Sequence, residues 1–452
     1  MVSSLQARIP PPWSHRGCRL HDQEPPRRSL VQRPSANLTK QGQRFLSSLA
    51  VIRDPKTAGR LISKFVASSP QFIALNALSH LLSPDTAHPQ LSSLAFPLYM
   101  RITEESWFKW NSKLVAELIA LLHKQGQCEE AETLISETLS KLESREREQV
   151  LFYGNLIDSF CKHKTKRGFE DTCDRLYLLL NSSSSVYVKK QALKSMVNGL
   201  CEMGKPYEAE NLIEERRTKG LKLSSFEIRC VVYGYGRLGL FDDMERSVNE
   251  MVSEGFKVDT VCSNMVISSY GDHNELSRMF LWLQKMKDMG IPFSIRTYNS
   301  VLNSCSMIIS MLQDLKSNDF PLSVSELTGV LKEDEMLLVK ELVESSVLDE
   351  AMKWDSAEAK LDLHGLHLGA AYLIMLQWME EMRERFNDEK YVIPAEVTVI
   401  CGSGRHSTVR GESPVKAIVK KMMIRTGSPL KIDRNNVGCF IAKGHVVKDW
   451  LC

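Results

Sequence analysis

The segment "SFEIRCVVYGYGRLGLFDDMERSVNEMVSEGFKVD" occupies residues 225–259, and "TVCSNMVISSYGDHNELSRMFLWLQKMKDMGIPFS" follows it directly at residues 260–294. Both segments are 35 residues long, and they align without a gap, so that a tyrosine, a methionine and a glycine recur at the same positions. The preceding block, 190–224, keeps this register, and a fourth block starts with "IRTYNSVLNSC" at Ile295 before the match fades. A fixed period of this length is typical of proteins built from stacked structural repeats.

Each block contains two apolar stretches with helical spacing, which a glycine or a polar turn separates. A single helical hairpin cannot bury its apolar stripe, but hairpins stacked on one another can. Looser blocks of similar length precede the clear ones and include "AELIALLHKQGQCEEAETL" (116–134) and "VLFYGNLIDSFCK" (150–162). The sequence therefore predicts an all-α solenoid of helical hairpins over residues 46–306.

Four phrases of the solenoid resemble pentatricopeptide repeats: "YNSVLNSC", "LIDSFCK", "VNGLCEMGKPYEAENLIEE" and "MKDMGIPFS". The tetratricopeptide repeat, which normally binds peptides, is the nearest competitor. The 35-residue step and the glycine-containing end of each block favour the pentatricopeptide family. That resemblance implies binding of single-stranded RNA, with about one base per repeat.

In the family that these repeats resemble, the fifth and the last residue of each repeat select the base. The positions here are Lys194 with Ser224, Arg229 with Asp259, Asn264 with Ser294, and then Asn299. The pair of Asn264 and Ser294 matches a combination that implies a pyrimidine. Lys194 and Arg229 depart from the usual small polar residues, so they are predicted either to contact phosphate or simply to be solvated.

The sequence changes character after the repeats. Residues 307–358 still read as helical and are predicted to form a cap and linker. From residue 359 to residue 452, strand patterns such as "KLDLHG", "AEVTVIC" and "VGCFIAK" alternate with helix patterns, which predicts a small α/β sandwich.

This last region resembles the small MutS-related (Smr) domain over essentially its whole length. The segments that carry the resemblance are "LDLHG", "CGSGRHS", "GESPVKAIV" and "GSPLKIDRNNVGCFIAKGHVVKDWL". Solenoids of this kind joined to such a domain form a mostly plastid group of proteins. Some members of that group resemble RNA endonucleases, which makes Asp362 and His364 candidate catalytic residues. The alternative is that Asp362 bonds to the backbone of its own turn and that His364 belongs to the core.

Strand alternation places Asp362 and His364 on one face of "LDLHG" and the two leucines on the other. Backbone amides and cations in the following loop and helix would suit a phosphate group. These candidate nucleic-acid contacts are Gly402, Gly404, Arg405, His406, Lys416 and Lys420. The group's usual Thr-Gly-Trp-Gly or Thr-Gly-Arg-Gly motif is replaced here by Cys-Gly-Ser-Gly at 401–404, which favours RNA binding over RNA cleavage.

Composition narrows the class of protein further. The formal charge is only +3 over 452 residues, yet residues 397–452 hold ten Lys and Arg against three acidic residues, which suits an anionic partner. The 11 cysteines include no CxxC pair, so neither a zinc knuckle nor a disulfide scaffold is expected. No apolar run is long enough to predict a membrane span. Residues 1–45 are rich in Arg and Ser and poor in acids, which predicts an organelle transit peptide or a disordered basic tail.

Three functions remain open at this stage. The leading one is an organellar RNA-binding protein, chloroplast rather than mitochondrial, that acts in RNA stabilisation, processing or translation. The second is a site-directed RNA endonuclease with the Smr-like domain as its catalytic unit, and the third is a protein–protein scaffold. RNA binding requires no cofactor, and a divalent metal such as Mg²⁺ enters only with cleavage. The sequence identifies neither metal ligands nor protein partners.

Overall fold

The computed structural model describes residues 38–52, 54–83, 89–313, 320–402 and 413–452. The chain divides into two compact units, one ending at Trp110 and the other comprising Asn111–Cys452. The helices of the first unit are α1 (Lys40–Val51), α2 (Pro55–Ser68), α3 (Gln71–Leu82), α4 (Pro89–Ser92) and α5 (Ala95–Thr103). Helix α1 starts inside the range 1–45, which was predicted as a transit peptide or a disordered tail. The Thr39 side chain caps this helix by accepting from the Gly42 N–H, 3.1 Å away.

The second unit begins with the predicted helical hairpins. Their helices are α6 (Ser112–Lys124), α7 (Cys128–Leu142), α8 (Glu146–His163), α9 (Lys166–Ser182), α10 (Val186–Glu202), α11 (Pro206–Thr218), α12 (Ser225–Arg237), α13 (Phe241–Ser253), α14 (Thr260–Asp272), α15 (Leu276–Asp288) and α16 (Ile295–Ser304). Helices α6, α8, α10, α12, α14 and α16 pack in succession, each against the next. These "first helices" of successive hairpins form one continuous layer, so a solenoid of helical hairpins is confirmed from α6 to α16.

Two kinds of glycine set the geometry of the repeats. The glycines that follow α13 and α15, Gly255 and Gly290, have φ values of +80° and +66°, a conformation that other residues adopt with strain. Gly271, within α14, instead allows close packing, because a Cβ built on it would lie 2.1 Å from Ser304 Oγ on α16. Glycines at fixed positions therefore end the second helices of successive repeats and allow neighbouring first helices to pack closely.

The helical hairpins give way to shorter helices after α16. These are α17 (Ser306–Gln313), α18 (Val324–Val330), α19 (Glu333–Val343) and α20 (Val347–Ala351). Helix α19 packs against α15, the second helix of the last complete repeat, and its Leu338 and Leu342 are buried. The apolar end of the solenoid is therefore covered within this region, as a cap requires.

The last region contains a five-stranded sheet with strand order β1-β2-β3-β5-β4. Its elements are β1 (Met352–Trp354), β2 (Glu358–Asp362), α21 (Leu368–Asn387), β3 (Glu396–Ile400), α22 (Pro414–Arg425), β4 (Lys431–Ile432), β5 (Cys439–Lys443) and α23 (Gly444–Leu451). Strands β2 and β3 are parallel, and the other pairs are antiparallel. The edge strands β1 and β4 have three and two residues, too few for an alternating pattern, and β1 lies in the range predicted as linker.

Helix α21 is the most deeply buried helix of this region. Every residue from Gly369 to Met379 is buried. One side packs against α16, α17, α18 and α20, and another packs against α22 and α23. A helix enclosed in this way must be apolar all round, which explains the run "GAAYLIMLQWM". None of the helices in the described ranges combines the length and apolarity that crossing a bilayer requires.

Candidate nucleic-acid interface

The last residue of each clear repeat is the N-cap of the next first helix. Ser224 caps α12, Asp259 caps α14 and Ser294 caps α16. The fifth residue lies one turn inside α12, α14 and α16 and two turns inside α10, and the stacking of these helices brings it towards the cap of the following one. Two residues 30 positions apart in sequence therefore meet at two successive junctions, as Arg229 with Asp259 and as Asn264 with Ser294.

The junction of α12 and α14 brings together Arg229 and Asp259. The Arg229 guanidinium donates to Asp259 Oδ2 at 3.1 Å and to the Ser225 carbonyl at 3.2 Å. Arg229 is only 7% exposed, although the Asp259 side chain remains half-exposed. The Arg229 charge is thus already paired inside the protein, and a phosphate would have to compete with Asp259 for it.

The junction of α14 and α16 brings together Asn264 and Ser294. Asn264 Nδ2 donates to Ser294 Oγ at 3.2 Å, and Thr297 Oγ1 donates to Asn264 Oδ1 at 2.7 Å. Asn264 is 5% exposed, so its amide is held in one orientation by residues of the next helix. The two residues predicted to select a pyrimidine are therefore adjacent and ordered.

The junction of α10 and α12 differs from the other two. The Lys194 ammonium lies 4.2 Å from the centre of the Phe226 ring, a cation–π contact that leaves the positive charge in place. Ser224 bonds instead to Glu227 Oε2 and forms a capping box with it. Phe226 and Glu227 were not predicted as site residues, although the Ser-x-x-Glu pattern is a known sequence signal for such a cap.

Asn299, the fifth residue of the last repeat, meets the α/β region. Its Nδ2 donates to the Gly365 carbonyl at 3.0 Å, and its Oδ1 accepts from the His367 N–H at 2.7 Å. One turn later, Asn303 Nδ2 donates to His367 Nδ1 at 2.6 Å. Asn303 and His367 carried no signal in the sequence, because their partners are more than 60 residues away.

A second group of predicted residues lies where β2 ends. Leu361 and Leu363 are buried, and Asp362 and His364 are exposed, as strand alternation requires. Asp362 Oδ1 accepts from the His364 N–H at 2.9 Å. This is the bond to the backbone of its own turn that was the alternative to a catalytic role for Asp362. A carboxylate and an imidazole are thus presented together to solvent.

The loop after β3 starts beside this pair. The Leu363 N–H donates to the Ile400 carbonyl at 2.9 Å, and Gly402, with φ of +76°, would place a Cβ only 3.9 Å from His364 Cδ2. The predicted contacts Gly404, Arg405 and His406 lie outside the described residues. The first glycine of the loop and the two polar side chains of "LDLHG" therefore converge.

Helix α22 places the positive charge of Lys416 near the start of this loop. Ser413 Oγ caps the helix at the Lys416 N–H and donates to the Cys401 carbonyl, at 3.2 Å in both cases. Burial raises the pKa of the Cys401 thiol to about 12, an effect that the nearby Lys416 charge only partly opposes. A thiol with such a pKa is not a nucleophile at neutral pH. Lys420, one turn further along α22, is exposed.

The described ranges contain no group of three or more His, Cys, Asp or Glu side chains arranged to hold a metal ion. Asp362 and His364 alone supply at most two protein ligands. Mg²⁺ is often held by one or two carboxylates together with substrate phosphates. The residues present therefore fit only a metal that arrives with the nucleic acid.

Comparison with known proteins identifies the repeats. The family model for the pentatricopeptide repeat matches residues 192–221, 229–256 and 261–291. The pentatricopeptide repeat-containing protein At2g17033 of Arabidopsis thaliana is 60% identical over 418 residues, which cover 92% of this chain and 82% of that protein. The protein At5g48730, chloroplastic, of the same plant is 21% identical over 212 residues, covering 46% of this chain and 40% of its own.

Solved structures give a weaker match. The pentatricopeptide repeat protein PPR10 from maize matches 68% of this chain and 57% of its own, with 13% identity and a TM-score of 0.33. The structure of PPR10 in complex with an 18-nt psaJ RNA element matches 66% of this chain and 50% of its own, with 16% identity and a TM-score of 0.26. The sequence relationship is decisive, because it joins 60% identity to nearly full coverage of both chains. The chain belongs to the pentatricopeptide repeat family.

Proposed function

We propose that this protein binds single-stranded RNA along the layer of first helices. The observation that carries the proposal is the recurrence of ordered polar pairs at successive helix junctions, of which Asn264 with Ser294 is the clearest. A row of evenly spaced polar pairs suits a partner that is itself a regular polymer with one recognisable group per unit. The family resemblance names single-stranded RNA as that polymer.

The α/β region provides the second nucleic-acid contact in this proposal, as an Smr-type domain. Its support is the exposed pair Asp362 and His364 beside Gly402, together with the positive charge of Lys416 and Lys420 on α22. The protein works in an organelle, with the chloroplast favoured over the mitochondrion, and its bound RNA is stabilised, processed or translated there. The Arg- and Ser-rich residues 1–45 support the organelle.

The test of RNA binding measures the affinity of the full chain for labelled single-stranded RNA, duplex RNA and single-stranded DNA. We expect preference for single-stranded RNA and an affinity that falls as salt rises. In a selection from randomised RNA, Asn264→Val should remove a pyrimidine preference at one position. Asn249→Ala, which removes an exposed asparagine from the second helix α13, should leave that preference unchanged. Absence of a salt-dependent affinity for single-stranded RNA would favour the scaffold alternative.

Endonuclease activity is the second candidate function, and the exposed Asp362 and His364 favour it. The His364 imidazole would serve as general acid or base, and Asp362 would orient the turn or bind Mg²⁺. The test incubates bound RNA with Mg²⁺ and compares the wild type with Asp362→Ala and His364→Ala. Cleavage by the wild type that both variants lose would establish the enzyme. Equal cleavage by all three proteins, or none, would reject it.

A further inference from the structure

Helix α21 of the α/β region takes the position that the first helix of another repeat would occupy. Helix α21 packs against α16 just as α16 packs against α14, and the contact is close. A Cβ built on Gly369 would lie 3.3 Å from both the Cβ and the carbonyl oxygen of Leu302. Helix α19 packs mainly on α15 and also contacts α16. The layer of first helices therefore continues by one helix, although the sequence repeat has ended.

The N-cap of α21 continues the same pattern of junctions. His367 is the N-cap of α21, as Ser294 is of α16, and Asn299 bonds to it across the junction. Helices α12 and α16 satisfy the N-cap N–H from within their own first turn, through Glu227 Oε2 and Thr297 Oγ1, both at 3.0 Å. The corresponding residue of α21 is Ala370, which has no acceptor. Asn299 Oδ1 supplies that acceptor from the neighbouring helix.

Both polar atoms of the Asn299 amide are used in this contact. The oxygen accepts from the His367 N–H, and the nitrogen donates to the Gly365 carbonyl. The bond from Asn303 to His367 Nδ1 adds a third attachment one turn away. The partners of Asn264, by contrast, belong to its own solenoid junction. The two asparagines share a repeat position and differ in what they hold.

We propose that Asn299 is a positioning residue, which fixes the "LDLHG" turn at the end of the RNA-binding layer and selects no base. The turn it holds begins one residue after His364, whose backbone is bonded to Asp362. The exposed surface of Asp362 and His364, beside Gly402, is consequently the next surface that RNA meets beyond the Asn264 and Ser294 pair.

The order in which RNA meets these surfaces rests on the proposed RNA binding, whereas the positioning role of Asn299 does not. With about one base per repeat, the RNA backbone reaches the His364 surface within about two nucleotides of the base at Asn264. Contact or cleavage by the α/β region should therefore occur at a fixed offset from the recognised base.

The first experiment uses hydrogen–deuterium exchange on the full chain without RNA. We expect Asn299→Ala to speed exchange at the amides of residues 363–368 by about 2- to 30-fold, the range for loss of a helix cap. Asn299→Asp keeps the acceptor for His367 and should have a smaller effect. A difference between the two variants separates loss of this hydrogen bond from a general loss of folding. Asn249→Ala should have none. Unchanged exchange in Asn299→Ala would overturn the positioning role.

The second experiment uses RNA that carries a single 4-thiouridine placed at successive positions. For the wild type we expect crosslinks to the peptide containing residues 361–366 from one narrow window of positions, and for Asn299→Ala a broadened window with unchanged base preference. A change in base preference at one position, with the window intact, would make Asn299 a base-reading residue and overturn the proposal. A wild type that binds no single-stranded RNA would refute the proposed function and the RNA part of this inference, and the exchange result would still decide the positioning role.

Discussion

Lys194 and Arg229 occupy the same position in successive repeats, and the structure predicts that only Lys194 contributes to RNA binding through its charge. Arg229 is 7% exposed and is paired with Asp259, so its charge is balanced before RNA arrives. Lys194 contacts the Phe226 ring, which holds the ammonium in place without neutralising it. A cation that has no carboxylate partner can neutralise a phosphate and so release the counterion that was bound there.

The perturbation is removal of each charge with side-chain volume retained. We expect Lys194→Met to reduce the slope of log affinity against log salt by about 0.7, the contribution of one contact to a single-stranded phosphate. Between 50 and 200 mM salt this makes the affinity of the variant fall about 2.6-fold less than that of the wild type. Replacing Arg229 by Met and Asp259 by Ser together should leave the slope unchanged. The serine keeps the N-cap of α14, as Ser294 does for α16.

The assay is fluorescence anisotropy with one labelled single-stranded RNA over a series of NaCl concentrations. Circular dichroism of each protein checks that the helical content is retained. An equal fall in slope for both variants would refute the reasoning, because it would mean that RNA displaces Asp259 from Arg229. A Lys194→Met slope identical to that of the wild type would show that the ammonium does not contact phosphate.

Three further predictions concern stability. Asp259→Ala should lower the free energy of unfolding in urea by about 1–2 kcal/mol, because it removes the α14 cap and a half-exposed ion pair. Asp259→Asn keeps a cap and should cost less than half of that. Equal losses for the two variants would contradict the capping role. Gly271→Ala should destabilise by about 1–3 kcal/mol because its methyl group collides with Ser304, whereas Gly329→Ala in α18, which meets nothing within 4 Å, should be neutral or slightly stabilising in thermal unfolding. Partial burial lowers the pKa of His367 below its ordinary 6.5. The contact of its ring with Asn303 is therefore at full strength above pH 6.5 and weakens as the pH falls through the folded-state pKa. Exchange at residues 363–368 should rise on acidification relative to His367→Gln, and parallel pH profiles for the two proteins would contradict this.

The sequence determined the solenoid. A 35-residue period carries the same apolar spacing, turn glycine and cap in each block, and each hairpin contacts mainly its neighbours, so local information suffices to predict helices such as α12 and α14. The same reasoning applies to "LDLHG", where the alternation of two leucines with two polar residues predicted which side chains are buried. The short edge strands β1 and β4 were beyond this reasoning, because two or three residues carry no period.

Only the tertiary structure decided how the predicted site residues differ from one another. Arg229 and Lys194 look alike in the alignment of repeats, yet one has a carboxylate partner across a helix junction and the other lies against a phenyl ring. Asn299 matches Asn264 in position, yet its partners, Gly365 and His367, lie far along the chain. Contacts within the repeat recur and are legible in sequence, whereas a contact made once, where the repeat ends, leaves no period by which it can be predicted.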